Sequence, residues 1–308
     1  FFRGQEIAIH MVGQEDGEFN PDDYIEFYAE GNDGSLDSLV YRPQKRLHPY
    51  QTLFSDEAYY FLTSNPAQLG NRIPMLNLAS QGLKPEPFHI EESVQAFTSD
   101  YTFNNLKGLE PYIQQSYYEP GEGWSGSLLT ADSIGRVRLV LTNRALLNSP
   151  ITIEGMVNGR DNSEHTVQVY RDSNGGSPVT TLSFYAFSSR TFQLGITPTS
   201  IQNETIDLQF RPDKPAGFYT TSNFSITYVK LTYPQRIDML GLRSKVFRIP
   251  ANSMGKALIA IENAPANAVV YDITDKATCR RMAIESVGGQ QQVTIDGLIG
   301  TRQLLVSD

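Results

Sequence analysis

Alternation of apolar and polar residues with a period of two constrains the fold of this chain more than any other sequence feature. In VRLVL, Val137, Leu139 and Leu141 share one face and polar or smaller side chains occupy the other. A segment with this period presents one apolar face when it is extended, so it predicts a half-buried β-strand. The same alternation recurs in HTVQVYR (165–171), ETIDLQF (204–210) and NFSITYVKLTY (223–233).

Turn-forming residues separate these segments and indicate how the strands connect. NGRDNSE (158–164), SNGGSP (173–178) and RPDKPAG (211–217) are rich in the Gly, Pro, Asn and Asp that β-turns require. The segments recur roughly every ten to fifteen residues, a spacing typical of an antiparallel sandwich or jelly roll. Helix signals are scarce, because Gly108 and Pro111 limit the best candidate, 105–118, to a turn or two. The sequence therefore predicts an all-β fold of antiparallel β-sandwiches.

Composition suggests three sections within this fold. Residues 1–85 form an acidic N-terminal β domain, truncated at its start, that we expect to close with an aromatic strand at 57–63. Residues 86–245 are long enough for one jelly-roll sandwich, and residues 246–308 form a small β-sandwich layer. The predicted strands of this last section are 245–249, 256–262, 268–274, 291–296 and 301–307. The start, FFRGQEI, resembles no secretory leader, and we expect the leader and first strands of the native protein to lie upstream.

Charge and cysteine content exclude several classes of protein. The net charge of the 308 residues is −9, and the first 37 residues hold ten acidic side chains against one base, Arg3. This balance argues against binding to nucleic acid and against electrostatic attachment to anionic lipid. No stretch has the 18 or more apolar residues of a membrane span, so none is expected. The single cysteine, Cys279, excludes an intramolecular disulfide framework and a Cys-rich zinc site.

Catalytic signatures are missing from the sequence. It contains no HExxH, P-loop or GxSxG pattern. His165 lies on the apolar face of its strand, which favours a buried histidine bonded to a carbonyl over a metal ligand. Arg280 and Arg281 could lower the pKa of Cys279, but alternation favours a small buried residue instead. The histidines have no partner at metal-ligand spacing: His10, His48, His89 and His165.

One acidic loop, EDGEFNPDD (15–23), is a candidate calcium site. Calcium binds several oxygen ligands on a tight loop, and Gly17 would allow a sharp bend. The alternative is an ordinary hairpin turn, which the D-G pair also favours. No other cofactor is predicted. The candidate calcium ligands are Asp16, Asn20, Asp22 and Asp23.

Aromatic residues around YYEPGEGWSG (117–126) are candidate contacts for carbohydrate or for a protein partner. A sugar-binding sandwich uses aromatic rings as a stacking platform beside polar groups. The alternative is that the rings plug one end of the core. A hydrolase would need two facing carboxylates about 5–10 Å apart, and no spacing here marks such a pair. The candidate contact residues are Tyr112, Tyr117, Tyr118 and Trp124.

The first section also resembles a known family. Its segment 13–63, GQEDGEFNPDDYIEFYAEGNDGSLDSLVYRP followed by LHPYQTLFSDEAYYFLT, is similar to the region ahead of the catalytic domain in gingipain-type (C25) cysteine peptidases. Among these it most resembles the sortase of the type IX secretion system of Bacteroidetes. Supporting segments occur in the same order at 117–126, 229–241 and 269–275.

The resemblance carries implications for fold, location and partners. It implies a galactose-binding-like jelly roll in the middle section, and an exported protein in the periplasm, outer membrane or cell surface of a Gram-negative bacterium. The family's His–Cys pair lies in an α/β domain that follows this region. No segment here matches its catalytic motifs, so no catalytic role transfers. The implied partners are that C-terminal peptidase domain and secretion-system or surface proteins.

We therefore expect a non-catalytic accessory region that positions or shields the peptidase domain, or docks substrates. The fragment itself is not expected to be an enzyme, although its parent protein would be a C25 peptidase. The alternative is a carbohydrate-binding or adhesin-like module of the cell surface, in which carbohydrate is the partner.

Overall fold

The structure, a computed structural model, describes residues 1–41, 46–65, 67–80, 82–103, 118, 120–172, 176–213 and 222–308. Over these ranges the regular structure is β, apart from short 3-10 turns at Gln14–Asp16, Ser35–Leu39 and Pro198–Ser200. The predicted all-β, antiparallel class is confirmed, whereas the turn predicted at 105–118 lies, apart from Tyr118, outside the described residues. The strands are β1 His10–Val12, β2 Tyr24–Glu26, β3 Met75–Leu76, β4 His89–Ala96, β5 Asp100–Thr102, β6 Gly123–Ser125, β7 Gly135–Val140, β8 Ile151–Gly159, β9 Glu164–Arg171, β10 Thr180–Tyr185, β11 Ser189–Ile196, β12 Thr205–Pro212, β13 Phe224–Gln235, β14 Ser244–Ile249, β15 Lys256–Ile261, β16 Val269–Asp272, β17 Arg280–Met282, β18 Glu285–Val287, β19 Gln290–Asp296 and β20 Arg302–Ser307.

Two compact units account for the chain. The first unit comprises residues 1–30, 58–91 and 234–308, and the second comprises 31–57 and 92–233. Each unit is thus assembled from segments that are distant in sequence. The division into sections 1–85, 86–245 and 246–308 stays a prediction, because the compact units follow contacts rather than continuous stretches of chain.

The second unit contains a four-stranded antiparallel sheet in the order β10-β9-β12-β7 and the strand trio β11-β8-β13. Its core is the apolar face that the alternation predicts. Val137, Leu139, Ile206, Leu208 and Phe210 are almost completely buried, whereas their sequence neighbours on β7 and β12 are more exposed. Side chains of β8, β11 and β13 complete the same cluster. The jelly-roll connection of these strands stays a prediction.

A β-bulge in β13 changes which residues face the core. The sequence pattern predicts one face formed by Phe224, Ile226 and Tyr228. The pairing of β13 with β8 is irregular between Ile226 and Tyr228, so one extra residue is inserted there. Beyond it Val229 and Leu231 join the core, and Tyr228 lies on the opposite face. The prediction for Tyr228 is therefore wrong, because one inserted residue reverses every later side chain.

The first unit contains the strand order β14-β20-β16-β17-β3, the three-stranded sheet β15-β19-β18 and the hairpin β1-β2. The five strands predicted between 245 and 307 are confirmed. Their buried side chains, including Phe247, Ile259 and Leu304, form one core cluster. β17 and β18 have three residues each, too few to show a period in the sequence.

The aromatic strand predicted at 57–63 is wrong. This segment belongs to no strand, and its backbone pairs with Phe1 only at Phe61. The Phe61 and Leu62 side chains are largely exposed, while the Tyr60 ring stacks on Phe2. Aromatic composition favours a strand, but a strand also needs a neighbour along its length. None of the helical segments in the described ranges has the length and apolar character needed to span a membrane.

Candidate functional site

Trp124 lies at the centre of an aromatic cluster in the second unit. It is the middle residue of β6, and the antiparallel register of β5 and β6 places Tyr101 directly opposite. The two ring centroids are 5.3 Å apart and the ring planes are perpendicular. Trp124 is partly buried and Tyr101 is 37% exposed. The pair is therefore a cross-strand aromatic contact with one side open to solvent.

Glu122 joins this pair to two further tyrosines. The Tyr101 hydroxyl donates to Glu122 Oε1 at 3.3 Å, and the buried Tyr41 hydroxyl donates to the Glu122 carbonyl at 2.7 Å. The Tyr118 ring packs edge-on against Tyr41 at 5.2 Å, and the backbone N–H of Tyr118 donates to the Val40 carbonyl. We call Tyr41, Tyr101, Tyr118, Glu122 and Trp124 the Trp124 cluster.

The electrostatics of the Trp124 cluster keep the phenols of Tyr101 and Tyr41 protonated. Burial, followed by the charge of Glu122, raises the pKa of Tyr101 well above its ordinary value. The same two causes raise the pKa of Tyr41. Both hydroxyls thus remain hydrogen-bond donors throughout the neutral range. The cluster offers a ligand the partly exposed rings of Trp124 and Tyr101 beside the Glu122 side chain.

The predicted contact residues are divided between described and undescribed parts of the chain. Trp124 and Tyr118 both belong to the cluster, whereas Tyr112 and Tyr117 lie outside the described residues. Sequence reasoning missed Tyr101 and Tyr41. No local signal marks them, because they approach Trp124 and Glu122 through strand pairing and through the folding of the 31–57 segment. A ligand-binding role for the four predicted residues stays a prediction.

A second group of polar and aromatic side chains lies on the outward face of β8 and β13. The Tyr228 hydroxyl donates to Glu154 Oε1 at 3.0 Å, and Lys230 Nζ lies 3.6 Å from the other oxygen. The Tyr50 ring packs edge-on against Tyr228 at 5.0 Å. Burial, then the charge of Arg46, lowers the pKa of the adjacent His48 to about 4, so this imidazole is neutral at pH 7. The bulge in β13 is what places Tyr228 in this group.

The acidic loop between β1 and β2 is folded around its own carboxylates. Asp16 accepts bonds from the Glu18 N–H at 3.0 Å and from the Asn20 side-chain amide at 2.9 Å. Asp23 accepts a bond from the Asn20 N–H at 2.7 Å, and Asp22 is exposed. Among the residues that the structure describes, no three His, Cys, Asp or Glu side chains group as a metal site. Calcium binding by Asp16, Asn20, Asp22 and Asp23 stays a prediction.

The two residues weighed as reactive groups are structural. His165 is buried, its ring stacks on Phe184 at 4.9 Å, and its Nε2 lies 3.4 Å from the Asp161 carbonyl oxygen. Cys279 is also buried, and this burial raises the pKa of its thiol. The neighbouring Arg280 and Arg281 do not offset this rise in the thiol pKa. Both predictions of buried side chains are confirmed.

Comparisons with known proteins bear on the fold. No protein-family model matches the chain, and no curated protein matches it. The crystal structure of dimeric latent PorU from Porphyromonas gingivalis is similar, with a TM-score of 0.54 and 10% sequence identity. The likeness covers 78% of this chain and 22% of the PorU chain, so this chain spans about a fifth of that protein's length. At this identity the likeness concerns the fold.

A second solved structure is more distant. The CBM36-1 domain of a multidomain xylanase from the hindgut metagenome of Trinervitermes trinervoides aligns with 46% of this chain and 96% of its own. Its TM-score is 0.27 and its identity is 10%.

Proposed function

We propose that this chain is a non-catalytic accessory region of a larger exported protein, a gingipain-like peptidase or type IX secretion sortase. Its role is to position or shield the peptidase domain or to dock substrates. The observation that supports this most is the fold shared with part of latent PorU over 78% of the chain. The independent resemblance of segment 13–63 to the same kind of protein adds to it.

Exposed apolar side chains in the first unit support a docking role. Phe61, Leu62 and Leu69 are 67%, 75% and 87% exposed and line one groove with Phe1 and Ile7. Apolar surface of this kind marks interaction sites in folded proteins. The groove belongs to a unit whose first 30 residues carry eight acids and one base, which favours a basic partner surface. These acids are Glu6, Glu15, Asp16, Glu18, Asp22, Asp23, Glu26 and Glu30.

Association with the peptidase domain tests this function. The chain and the peptidase domain that the same gene is expected to encode would be purified separately and mixed, and binding followed by calorimetry. We expect binding that weakens at high salt, because screening reduces the attraction between acidic and basic surfaces. Leu62→Asp should weaken it, whereas Leu146→Asp, at an 81% exposed position of the second unit, should not. A gene without a peptidase domain, or two pieces that do not bind, would contradict the proposal.

Carbohydrate binding is the second candidate function, and the open side of the Trp124–Tyr101 pair favours it. Trp124 is the single tryptophan, so fluorescence excited selectively in tryptophan reports on this site alone. We expect a saturable fluorescence change on titration with cell-surface polysaccharides, and a loss of affinity in Tyr101→Ala. Tyr185→Ala is the matched control, because Tyr185 is an exposed strand tyrosine of the same unit. Unchanged fluorescence with every glycan tested would exclude a sugar site at Trp124.

A further inference from the structure

Three polar side chains meet in the core of the first unit. Gln235 ends β13, His89 begins β4 and Lys245 is the second residue of β14, and β4 lies between the other two strands. His89 and Gln235 are almost completely buried, and Lys245 is 9% exposed. The His89 ring packs edge-on against the core residue Phe247 at 4.8 Å. An amine, an amide and an imidazole are thus enclosed together beside an apolar core.

Two of their hydrogen bonds converge on one oxygen atom, and Lys245 Nζ also donates to the Asp238 carbonyl at 3.0 Å. Lys245 Nζ donates to Gln235 Oε1 at 2.6 Å, and His89 Nε2 lies 3.0 Å from the same atom. An ammonium or amine donor needs an acceptor, which identifies this atom of Gln235 as the carbonyl oxygen. His89 Nε2 therefore carries a proton and donates it. The amide of Gln235 is polarised by two donors, and one of them is a potential nucleophile adjacent to the carbonyl carbon.

Burial favours the neutral forms of the Lys245 amine and the His89 imidazole, which the reaction proposed below requires. Burial lowers the pKa of Lys245, although the carboxylates of Glu91 and Asp238 act in the opposite direction. A desolvated lysine has a larger neutral fraction and is a better nucleophile. Burial also lowers the pKa of His89 to about 4, so its imidazole is neutral and remains a donor to the amide oxygen. Glu91 Oε2 lies 3.8 Å from His89 Nε2, and its charge acts on Lys245.

We propose that Lys245 and Gln235 form an intramolecular isopeptide bond in the folded protein. The neutral Lys245 amine attacks the Gln235 side-chain carbonyl carbon, and a new Nζ–Cδ bond forms. The His89 N–H stabilises the negative charge that develops on Oε1, as donors do in an oxyanion hole. Glu91 accepts a proton from the attacking amine and returns it to the departing nitrogen. The Cδ–Nε2 bond breaks and one ammonia leaves, so the reaction needs no oxidant or other reagent.

Peptide mapping of the wild-type protein tests this directly. Trypsin cuts after Lys230, Arg236, Arg243 and Arg248, but it does not cut after an acylated lysine. The digest should then contain LTYPQR (231–236) covalently joined to SKVFR (244–248), with a combined mass lower by one ammonia. The intact denatured protein should show the same loss. Asparagine residues elsewhere in the chain can also lose ammonia, so a lower intact mass alone does not identify the isopeptide bond. The joined peptide in the digest is the deciding observation.

Two variants distinguish isopeptide formation from non-covalent packing of the same side chains. Lys245→Met removes the nucleophile, and its digest should yield LTYPQR unjoined. Glu91→Gln keeps the shape of the side chain, and the joined fraction should form at least about tenfold more slowly, since a positioned acid–base group contributes that much or more. Recovery of unjoined LTYPQR, together with cleavage after Lys245, from folded wild-type protein would overturn the proposal. That result stands even if a variant fails to fold, because it needs only the natural chain.

Discussion

Replacement of Asp272 by asparagine tests how much a buried carboxylate stabilises the first unit. The Asp272 side chain is 3% exposed, and the β16–β17 register places Arg280 directly opposite. Its Oδ2 accepts a bond from Arg280 at 2.6 Å and lies 3.5 Å from Arg302, while Oδ1 accepts a bond from the Thr274 N–H at 3.0 Å. Burial raises the pKa of Asp272, but the hydrogen bonds from Thr274 and Arg280 outweigh it and hold this pKa below its ordinary value.

The expected loss of stability follows from these contacts. Asparagine preserves the size of the side chain and the bond from Thr274, but it turns an amide NH2 group toward Arg280. This removes a charge-assisted hydrogen bond, worth roughly 1.5–3 kcal/mol, and leaves a buried donor unpaired, at a cost of roughly 1–3 kcal/mol. Arg280 is 29% exposed and regains some hydration, which favours the lower end of both ranges. We therefore expect Asp272→Asn to lower the free energy of unfolding by about 3 kcal/mol.

Urea unfolding at neutral pH measures this loss, and Asp275→Asn is the matched control. Asp275 is three residues away and accepts bonds from the Ala277 N–H and the Thr278 hydroxyl, but it is exposed, so its replacement should cost under about 1 kcal/mol. If Asp272→Asn costs no more than the control, the carboxylate does not stabilise the unit.

The pH dependence gives a second check with a defined sign. Because the pKa of Asp272 is lower in the folded than in the unfolded protein, its stabilising contribution is complete above the unfolded value of about 3.9. The contribution is lost as the pH falls through the folded value. The difference between wild type and Asp272→Asn should stay constant from about pH 7 to 5 and shrink below about pH 4. A difference that grows on acidification would refute the reasoning.

Three further predictions concern packing, reactivity and metal binding. Phe210→Ala, at a fully buried position of the second unit, should lower the free energy of unfolding by about 3–5 kcal/mol in the same urea assay. The Cys279 thiol should react with a thiol reagent in urea but not in buffer, because it is buried and its pKa is raised; equal rates would contradict this. If the 15–23 loop binds calcium, the ion should raise the midpoint of thermal unfolding, and Asp16→Asn should abolish that increase.

The core-facing side chains of several strands in the second unit could be predicted from the sequence. Val137, Leu139 and Leu208 face the core because a β-strand places every second side chain on one face, and this depends only on the local sequence. The burial of His165 on β9 follows in the same way, whereas Cys279 is buried just before β17, outside any strand. The pattern fails at Tyr228, since a bulge depends on the strand alongside and leaves no mark in the sequence.

The candidate site could be predicted only in part. Trp124 and Tyr118 stand in a conspicuous aromatic segment, so their composition alone draws attention to them. Tyr101 and Tyr41 reach the same cluster through strand pairing and through a long excursion of the chain, which no spacing rule encodes. The 57–63 segment shows the converse. Its composition is typical of a strand, but no other strand pairs with it along its length.

By itself, the sequence determined the all-β class, the positions of the strands with clear alternation and the acidic character of the first 37 residues. These are local properties, fixed by side-chain alternation, turn formers and charge. Only the tertiary structure decided which distant residues meet. His89 and Gln235 are 146 residues apart and share a hydrogen bond, and Lys245 completes that group from a third strand. Such contacts arise from long-range strand pairing, which depends on the whole chain at once and cannot be inferred from any one segment.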